Sequence, residues 1–161
     1  MQTNQPYNPK SIIKTMTILH YAYAIAILGF GVVTLIITDD AYLNFNATED
    51  MFFYLVPLLA IGGLLGGNYA FNTNLKSIRQ KPTLKEKLSS YQSIRLIRLA
   101  FLEGPALLGI VGFMITSNQL YLIIAAVLLT YIIFLRPTRS VIREDLDLNA
   151  EQDRELREAL R

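Results

Sequence analysis

Four long apolar blocks, separated by charged or polar segments, limit what this chain can fold into. A helix rises about 1.5 Å per residue, so about twenty apolar residues cross the roughly 30 Å hydrocarbon core of a bilayer. With 52% hydrophobic residues and a mean hydropathy of +0.34, the chain is more apolar than most soluble domains. A soluble bundle is disfavoured because the second and fourth blocks have no polar face. We therefore predict an all-α, polytopic membrane protein, a four-transmembrane-helix bundle with a short cytoplasmic C-terminal helical tail.

Changes in polarity along the chain define the predicted segments. Residues 1–10 form a polar N-terminal tail, residues 11–135 a transmembrane domain, and residues 136–161 a charged tail. The first apolar block has no small-residue cleavage site, so we expect a retained helix rather than a signal peptide. The helices of the transmembrane domain are expected at about 11–37, 51–71, 84–116 and 120–135.

The charged tail is expected to contain a helix that begins after Asn149, because asparagine is a good N-cap. Oppositely charged pairs four residues apart support that helix. They are Asp153 with Arg157, and Arg154 with Glu158. The only apolar edge consists of Leu156 and Leu160, which favours a solvated, partly frayed helix. The alternative is a docking segment for a cytoplasmic partner or for a second copy.

The cations lie on one side of the predicted bundle. They occur in the N-terminal tail and the start of the first helix, between helices two and three, at the start of helix three and in the charged tail. None occurs in the acidic loop 38–50 or in the turn 116–119. Cytoplasmic loops of membrane proteins are enriched in Lys and Arg. We therefore predict a multi-pass protein of the bacterial inner (plasma) membrane with both termini in the cytoplasm.

Glu103 is the candidate ion-binding residue. It lies in the apolar part of the third predicted helix, where a carboxylate is costly and by default functional. Pro105 cannot donate a hydrogen bond to the residue four positions earlier, so the Phe101 carbonyl is freed. Exposed backbone beside an acid suits a cation or a proton, and we expect Glu103 to face the bundle interior. The alternative is a structural acid, paired with Arg98 or hydrogen-bonded to a neighbouring helix.

Polar residues on all four predicted helices reach a similar depth near the cytoplasmic side. They could form a small polar cavity around the acid, or they could be interfacial, because Tyr and His often lie at that depth. One histidine and one acid do not make a metal site. The supporting polar cluster comprises His20, Asn68, Asn72, Arg98 and Tyr131.

Glycines of the second predicted helix form two pairs four residues apart. Such spacing lets another helix approach closely. We expect an intramolecular packing contact, with a dimer contact as the alternative. The glycines are Gly62, Gly63, Gly66 and Gly67.

Composition narrows the functional classes. The chain has no cysteine, which excludes disulfides and thiolate chemistry, and a net charge of only +2, which gives no indication of nucleic acid. No nucleophile with a base and no metal cluster stands at a suitable spacing, so we expect neither enzymatic activity nor a cofactor. A basic surface is expected to contact anionic lipid headgroups, with an acidic partner as the alternative. Its residues are Lys76, Arg79, Lys81, Lys85, Lys87, Arg95 and Arg98.

The central hairpin, residues 62–116, contains GGLLGG, then RQKP at positions 79–82, then LAFLEGPALLGIVGF with Glu103. It weakly resembles the hairpin of the rotary ATP synthase proteolipids, subunit c. That family has a glycine-rich helix, a basic loop containing Arg-Gln-Pro, and a second helix with an ion-carrying carboxylate. The resemblance implies that Glu103 is the ion-binding acid and that Arg79 and Gln80 belong to the rotor loop. Lys81 interrupts the loop motif.

Two further stretches, LKEKLSSYQSIRLIRLAFLEGP and FLRPTRSVIREDLDLN, resemble a set of small, uncharacterised four-helix bacterial inner-membrane proteins. That resemblance implies topology alone. The sequence therefore favours a non-enzymatic integral membrane protein that acts through partner binding or self-association. The alternative is a proton- or cation-coupled protein, proteolipid-like or a small transporter, that uses Glu103.

Overall fold

The computed structural model describes residues 8–160, and this part of the chain is helical apart from its connections and one isolated bridge. Residues 1–7 of the predicted N-terminal tail lie outside the described residues, as does residue 161. The helices are α1 Pro9–Ile37, α2 Met51–Arg79, α3 Leu84–Thr116, α4 Gln119–Phe134, α5 Arg139–Asp145 and α6 Ala150–Ala159.

Three helices, α1, α2 and α3, are long and apolar enough to cross a membrane. With 16 residues, α4 is shorter, and it reaches the length of a span only together with α5, from which it is bent by 82°. The all-helical, membrane-compatible part of the predicted fold is therefore confirmed.

The three long helices exceed the thickness of a bilayer. Their 29, 29 and 33 residues correspond to about 44–50 Å, against a hydrocarbon core of roughly 30 Å. The prediction that the second helix ends near residue 71 is corrected, because α2 continues for two turns to Arg79. Leu75 and Ile78 extend the buried stripe of Phe71, so the helix changes from apolar to amphipathic rather than ending.

The central helix of the bundle is α3. It packs along α2, α4 and α1, whereas α1 and α2 hardly touch each other. The connection between α1 and α2 therefore crosses one end of the bundle, here called the loop end. There Tyr42 exchanges backbone hydrogen bonds with the turn between α3 and α4, accepting from Gln119 N at 2.8 Å and donating to Ser117 O at 3.0 Å.

The opposite end, here called the tail end, carries the start of α1, the short 80–83 connection, α5 and α6. The ends of α1, α2 and α3 on this side meet there and form a hydrophobic core with the tail. This tail-end core consists of Ile13, Met16, Phe71, Leu75, Ile78, Leu84, Leu88, Tyr91, Ile94, Ile142, Leu146, Leu148 and Leu156.

The tail packs against the bundle, so the expectation of a solvated, frayed helix is wrong. Leu156 of α6 is fully buried in the tail-end core. The buried Lys87 ammonium donates to Leu146 O at 3.2 Å and to the Gln152 side chain at 3.2 Å, and Gln152 donates to Pro82 O at 3.2 Å. These bonds tie both tail helices to the start of α3.

The tail helices also carry the local features that their sequence indicates. Asn149 and Gln152 form a reciprocal capping box at the start of α6. The expected pairs are present, with Arg157 at 3.0 Å from Asp153 and Arg154 at 2.8 Å from Glu158. Local signals thus define α6, and a buried leucine sets where it docks.

We predict that Leu156→Ala loosens the tail while leaving the membrane part folded. Removing this buried side chain should cost about 2–5 kcal/mol of docking free energy, because a cavity remains in the tail-end core. Limited proteolysis in detergent should cleave the variant first between α4 and α6. The control is Val141→Ala, which truncates a side chain that is 37% exposed. Equal resistance of both variants would contradict the proposed docking.

Candidate functional site

A polar layer lies where the tail-end core meets the apolar bundle, and three of the five predicted cluster residues meet there. The Tyr131 hydroxyl of α4 donates to Asn68 Oδ1 of α2 at 3.1 Å and accepts from Arg98 of α3 at 3.1 Å. The Arg98 guanidinium also stands 4.6 Å from the centre of the Phe71 ring, a cation–π distance. Tyr131 therefore joins three helices through one hydroxyl.

The other two members of the predicted cluster do not join this network. Asn72 is exposed on the outer face of α2, so its place in the cluster is corrected. His20 is 1% exposed, yet neither ring nitrogen has a hydrogen-bond partner in the described structure. Its ring packs edge-on against Tyr21, at 5.6 Å between centroids. The cluster is thus a three-residue network with a separate buried histidine.

A second network, which sequence reasoning missed, connects the bundle to the tail. Tyr91 of α3 donates to the Asp145 carboxylate of α5 at 2.5 Å and accepts from Arg95 at 3.0 Å. Arg95, only 6% exposed, also donates to the Leu135 carbonyl at the end of α4. The four-residue spacing of Tyr91 and Arg95, on the same helix face as Leu88, is the signal that could have indicated this pair.

These bonds change the predicted basic surface. Lys87, Arg95 and Arg98 serve internal contacts of the fold. Arg79 donates to Asp145 O at 2.7 Å, and Lys81 donates to Ser90 at 2.6 Å. Part of the positive charge that the sequence assigns to a lipid-facing surface therefore stabilises the tail end.

Glu103 is half-buried in α3 and has no hydrogen bond or ion pair within residues 8–160. The alternative of a pair with Arg98 is not realised, because Arg98 bonds to Tyr131. The Phe101 carbonyl, which Pro105 leaves without its helical donor, lies against Gly63 of α2.

The glycines of α2 differ in their surroundings. A Cβ atom added to Gly63 would stand 2.2 Å from Phe101 O, and one added to Gly67 would stand 3.1 Å from Phe101 Cβ. Gly66 lies against the Phe101 ring, whereas a Cβ at Gly62 would meet nothing within 4 Å. The contact is therefore intramolecular, between α2 and α3, and Gly62 is not part of it.

A further close approach, missing from the sequence interpretation, joins α3 to α4. A Cβ atom added to Gly109 would stand 2.8 Å from Tyr121 O. The Tyr121 hydroxyl in turn donates to the Asp50 carboxylate, which caps the start of α2. Gly112 follows three residues later, and a Cβ atom added there would stand 3.2 Å from the Phe52 ring and 3.3 Å from the Tyr121 ring. This three-residue glycine spacing on one helix face is the signal that could have indicated the contact.

Comparison with known proteins adds no family to these observations. The chain matches no protein-family model, and neither the curated proteins nor the solved structures contain a significant match. Within residues 8–160, no group of three or more metal-ligating side chains comes together. The proposals for this protein therefore rest on its own geometry.

We predict that Gly63→Ala destabilises the protein and that Gly62→Ala does not. The new methyl group at position 63 would overlap a backbone oxygen, so the helices must separate, at a cost of about 1–3 kcal/mol. At position 62 the methyl group enters open space, and alanine's better helix propensity can add up to about 1 kcal/mol. Thermal unfolding in detergent compares the two, and indistinguishable melting temperatures would refute the contact.

Proposed function

We propose that this protein is a non-enzymatic integral protein of the bacterial inner membrane with four spans and both termini in the cytoplasm. It acts by presenting its folded tail end to a partner protein or to a second copy. The observation that carries this proposal is the tail-end core. A small membrane protein that extends three helices beyond the bilayer and closes them with two tail helices maintains a rigid surface outside the membrane.

Support for the fourth span comes from the packing of α4. Its 16 residues reach about 24 Å, and its Ala125, Leu128 and Ile132 side chains are buried in the same apolar core as α3. The chain then bends by 82° into α5. A short span is consistent with this geometry, because the helix ends at the membrane surface and the chain then turns abruptly. Arg136, which follows the helix, can extend to the headgroups.

Support for the orientation comes from charge. Within residues 8–160, the lysines and arginines occupy the tail-end half of the molecule, and the loop end carries Asp39, Asp40, Glu49 and Asp50. The positive-inside rule then assigns the tail end to the cytoplasm.

Single-cysteine variants test both parts of this proposal, because the chain has no cysteine of its own. Glu151→Cys lies on the exposed side of α6, and Phe45→Cys lies in the loop end, where the side chain is 60% exposed. A membrane-impermeant maleimide added to intact spheroplasts should label Phe45→Cys only. Inverted membranes should reverse the result.

The same variants, coupled to a photoreactive maleimide in inverted membranes, test the interaction. Glu151→Cys should give a discrete crosslinked species, either a dimer or a defined hetero-complex. Adding Leu156→Ala should abolish it by releasing α6. Labelling of Glu151→Cys from outside would reject the topology, and absence of a discrete adduct from α6 positions would reject the interaction.

The second candidate is a proton- or cation-coupled protein that uses Glu103. The observation in its favour is that this half-buried carboxyl has no partner in the described structure, unlike Arg98 of the neighbouring polar layer. A structural acid would be expected to have a hydrogen-bonding group close by. The resemblance to the proteolipid hairpin is part of this second proposal.

Dicyclohexylcarbodiimide separates the two candidates, because it modifies protonated carboxyls in apolar surroundings. The ion-site proposal predicts labelling of Glu103 that decreases with rising pH or with added sodium, and that disappears in Glu103→Gln. Glu86, an exposed acid in the first turn of α3, is the internal control and should stay unlabelled. No labelling of Glu103 at mildly acidic pH would remove the ion-site candidate.

A further inference from the structure

The turn that follows α4 places a short helix across the direction of the bundle. The chain bends by 82° between α4 and α5. If α4 crosses the bilayer, α5 therefore runs nearly parallel to the membrane surface. This inference rests on the proposed four-span topology.

The depth of α5 follows from a contact at its start. Arg95 donates to the Leu135 carbonyl at the end of α4, so the two helices reach the same level there. Just beyond Arg95, α3 becomes apolar, from about Leu96 onward. The end of α4 thus lies at the boundary of the apolar region, and the residues after it lie at the level of lipid headgroups.

Basic side chains are concentrated at this boundary. Arg136 is exposed directly after α4, and Arg139 and Arg143 follow on α5 with side chains that are 42% and 61% exposed. Together with Ser140, Arg139 and Arg143 line an open cleft of about 300 Å³. These four residues are called the arginine shelf.

The nearest carboxylate neutralises only part of this charge. Asp153 of α6, with a side chain that is 4% exposed, accepts a hydrogen bond from Arg139 at 3.1 Å. It also forms an ion pair with Arg157 at 3.0 Å, and Arg143 stands 3.7 Å away. The Arg139 hydrogen bond holds the pKa of Asp153 below its usual range, so the carboxylate stays charged. Counted with Arg136, four guanidinium groups stand against Asp153 and the two acids of the adjoining cleft, Glu144 and Asp147, which leaves one positive charge in excess.

The excess charge comes with unused donors. A guanidinium has five N–H donors in a planar fork that matches two phosphate oxygens, and Asp153 occupies only one edge of Arg139. Two acids, Glu144 and Asp147, line the adjoining cleft beyond Arg143. They disfavour an anion on that side, so the favourable position lies toward Arg136.

We propose that the arginine shelf binds the phosphate of an anionic lipid headgroup, seated in the cleft of Arg139, Ser140 and Arg143 on the side toward Arg136, at the inner membrane surface. The lipid is favoured over free phosphate because the shelf borders the apolar part of α4, where an acyl chain can pack beside the bound headgroup. Binding fixes the level of α5 in the membrane and supports the docked tail.

Lipid binding to the full-length protein in mild detergent tests this proposal. Native mass spectrometry measures retention of added dioleoyl-phosphatidylglycerol, dioleoyl-phosphatidylcholine as the zwitterionic comparison, and inorganic phosphate as a competitor. The shelf variant is Arg136→Gln with Arg143→Gln, which leaves Arg139 and Arg157 on Asp153. The control is Lys10→Gln with Arg154→Gln, which removes the same charge from the start of α1 and from the exposed side of α6.

Phosphatidylglycerol retention should fall about tenfold to thirtyfold in the shelf variant and stay within about twofold of wild type in the control. If limited proteolysis shows that the double variant has also lost tail docking, the single variant Arg136→Gln replaces it as the test. It should weaken lipid retention several-fold. Equal retention of both lipids, full displacement by equimolar phosphate, or equal losses in shelf and control variants would overturn the proposal. Maleimide labelling of Glu151→Cys in the shelf variant tests the proposed topology separately. If Glu151→Cys is labelled only from the cytoplasmic side while lipid retention stays unchanged, the topology stands and only the lipid-binding proposal is rejected.

Discussion

The backbone contact between Gly63 of α2 and Phe101 of α3 sets the register on which the rest of the structure depends. Pro105 leaves the Phe101 carbonyl without its helical donor, and the side-chain-free surface of Gly63 covers that oxygen. A close helix approach in a membrane relies on such small residues, since lipid gives no hydrophobic force between helices. One turn further along α2, Gly67 continues the contact, and Asn68 is brought to Tyr131.

The same register organises the tail end. Phe71 reaches both Arg98 and Tyr91, at ring distances of 4.6 and 6.0 Å, and Leu75 continues its stripe into the tail-end core. In the proposed topology these helix ends lie outside the bilayer, where the hydrophobic effect operates, so they require apolar partners. The tail helices provide them. The apolar bundle and the tail-end core therefore pack continuously along α3.

The sequence indicates the helices better than it indicates their ends or faces. Pro82 and Thr83 mark the start of α3, and the apolar run defines its membrane part. The end of α2 was predicted two turns early, because hydropathy falls at residue 72 while the buried stripe continues through Leu75. The docking of α6 depends on Leu156 meeting a core built from distant segments. A single apolar edge on a charged helix does not reveal such a partner.

The candidate site shows a similar division. Sequence gives the depth of a residue in the bilayer, which is why Asn68, Arg98 and Tyr131 could be grouped. It does not give the rotation of each helix, and rotation turns Asn72 outward. Arg95 and Lys87 were assigned to a surface because cations usually lie there. Arg95 bonds to the terminal carbonyl of α4, which becomes its neighbour only when α4 packs on α3. The partners of Lys87, at the end of α5 and in α6, become available only when the tail folds back.

The arrangement of α1 has a consequence for the order of events during synthesis. This first helix hardly touches α2, and its partners are α3, α4 and, through its starting turns, α6. Ile13 and Met16 share a core with Leu156. The start of α1 therefore cannot complete its packing until α6 has been synthesised. Each helix can enter the membrane as it emerges, yet the tail-end core closes only after α6 has been synthesised. Such late, long-range contacts slow folding, and a chain interrupted before α6 would expose the apolar residues at the start of its first helix.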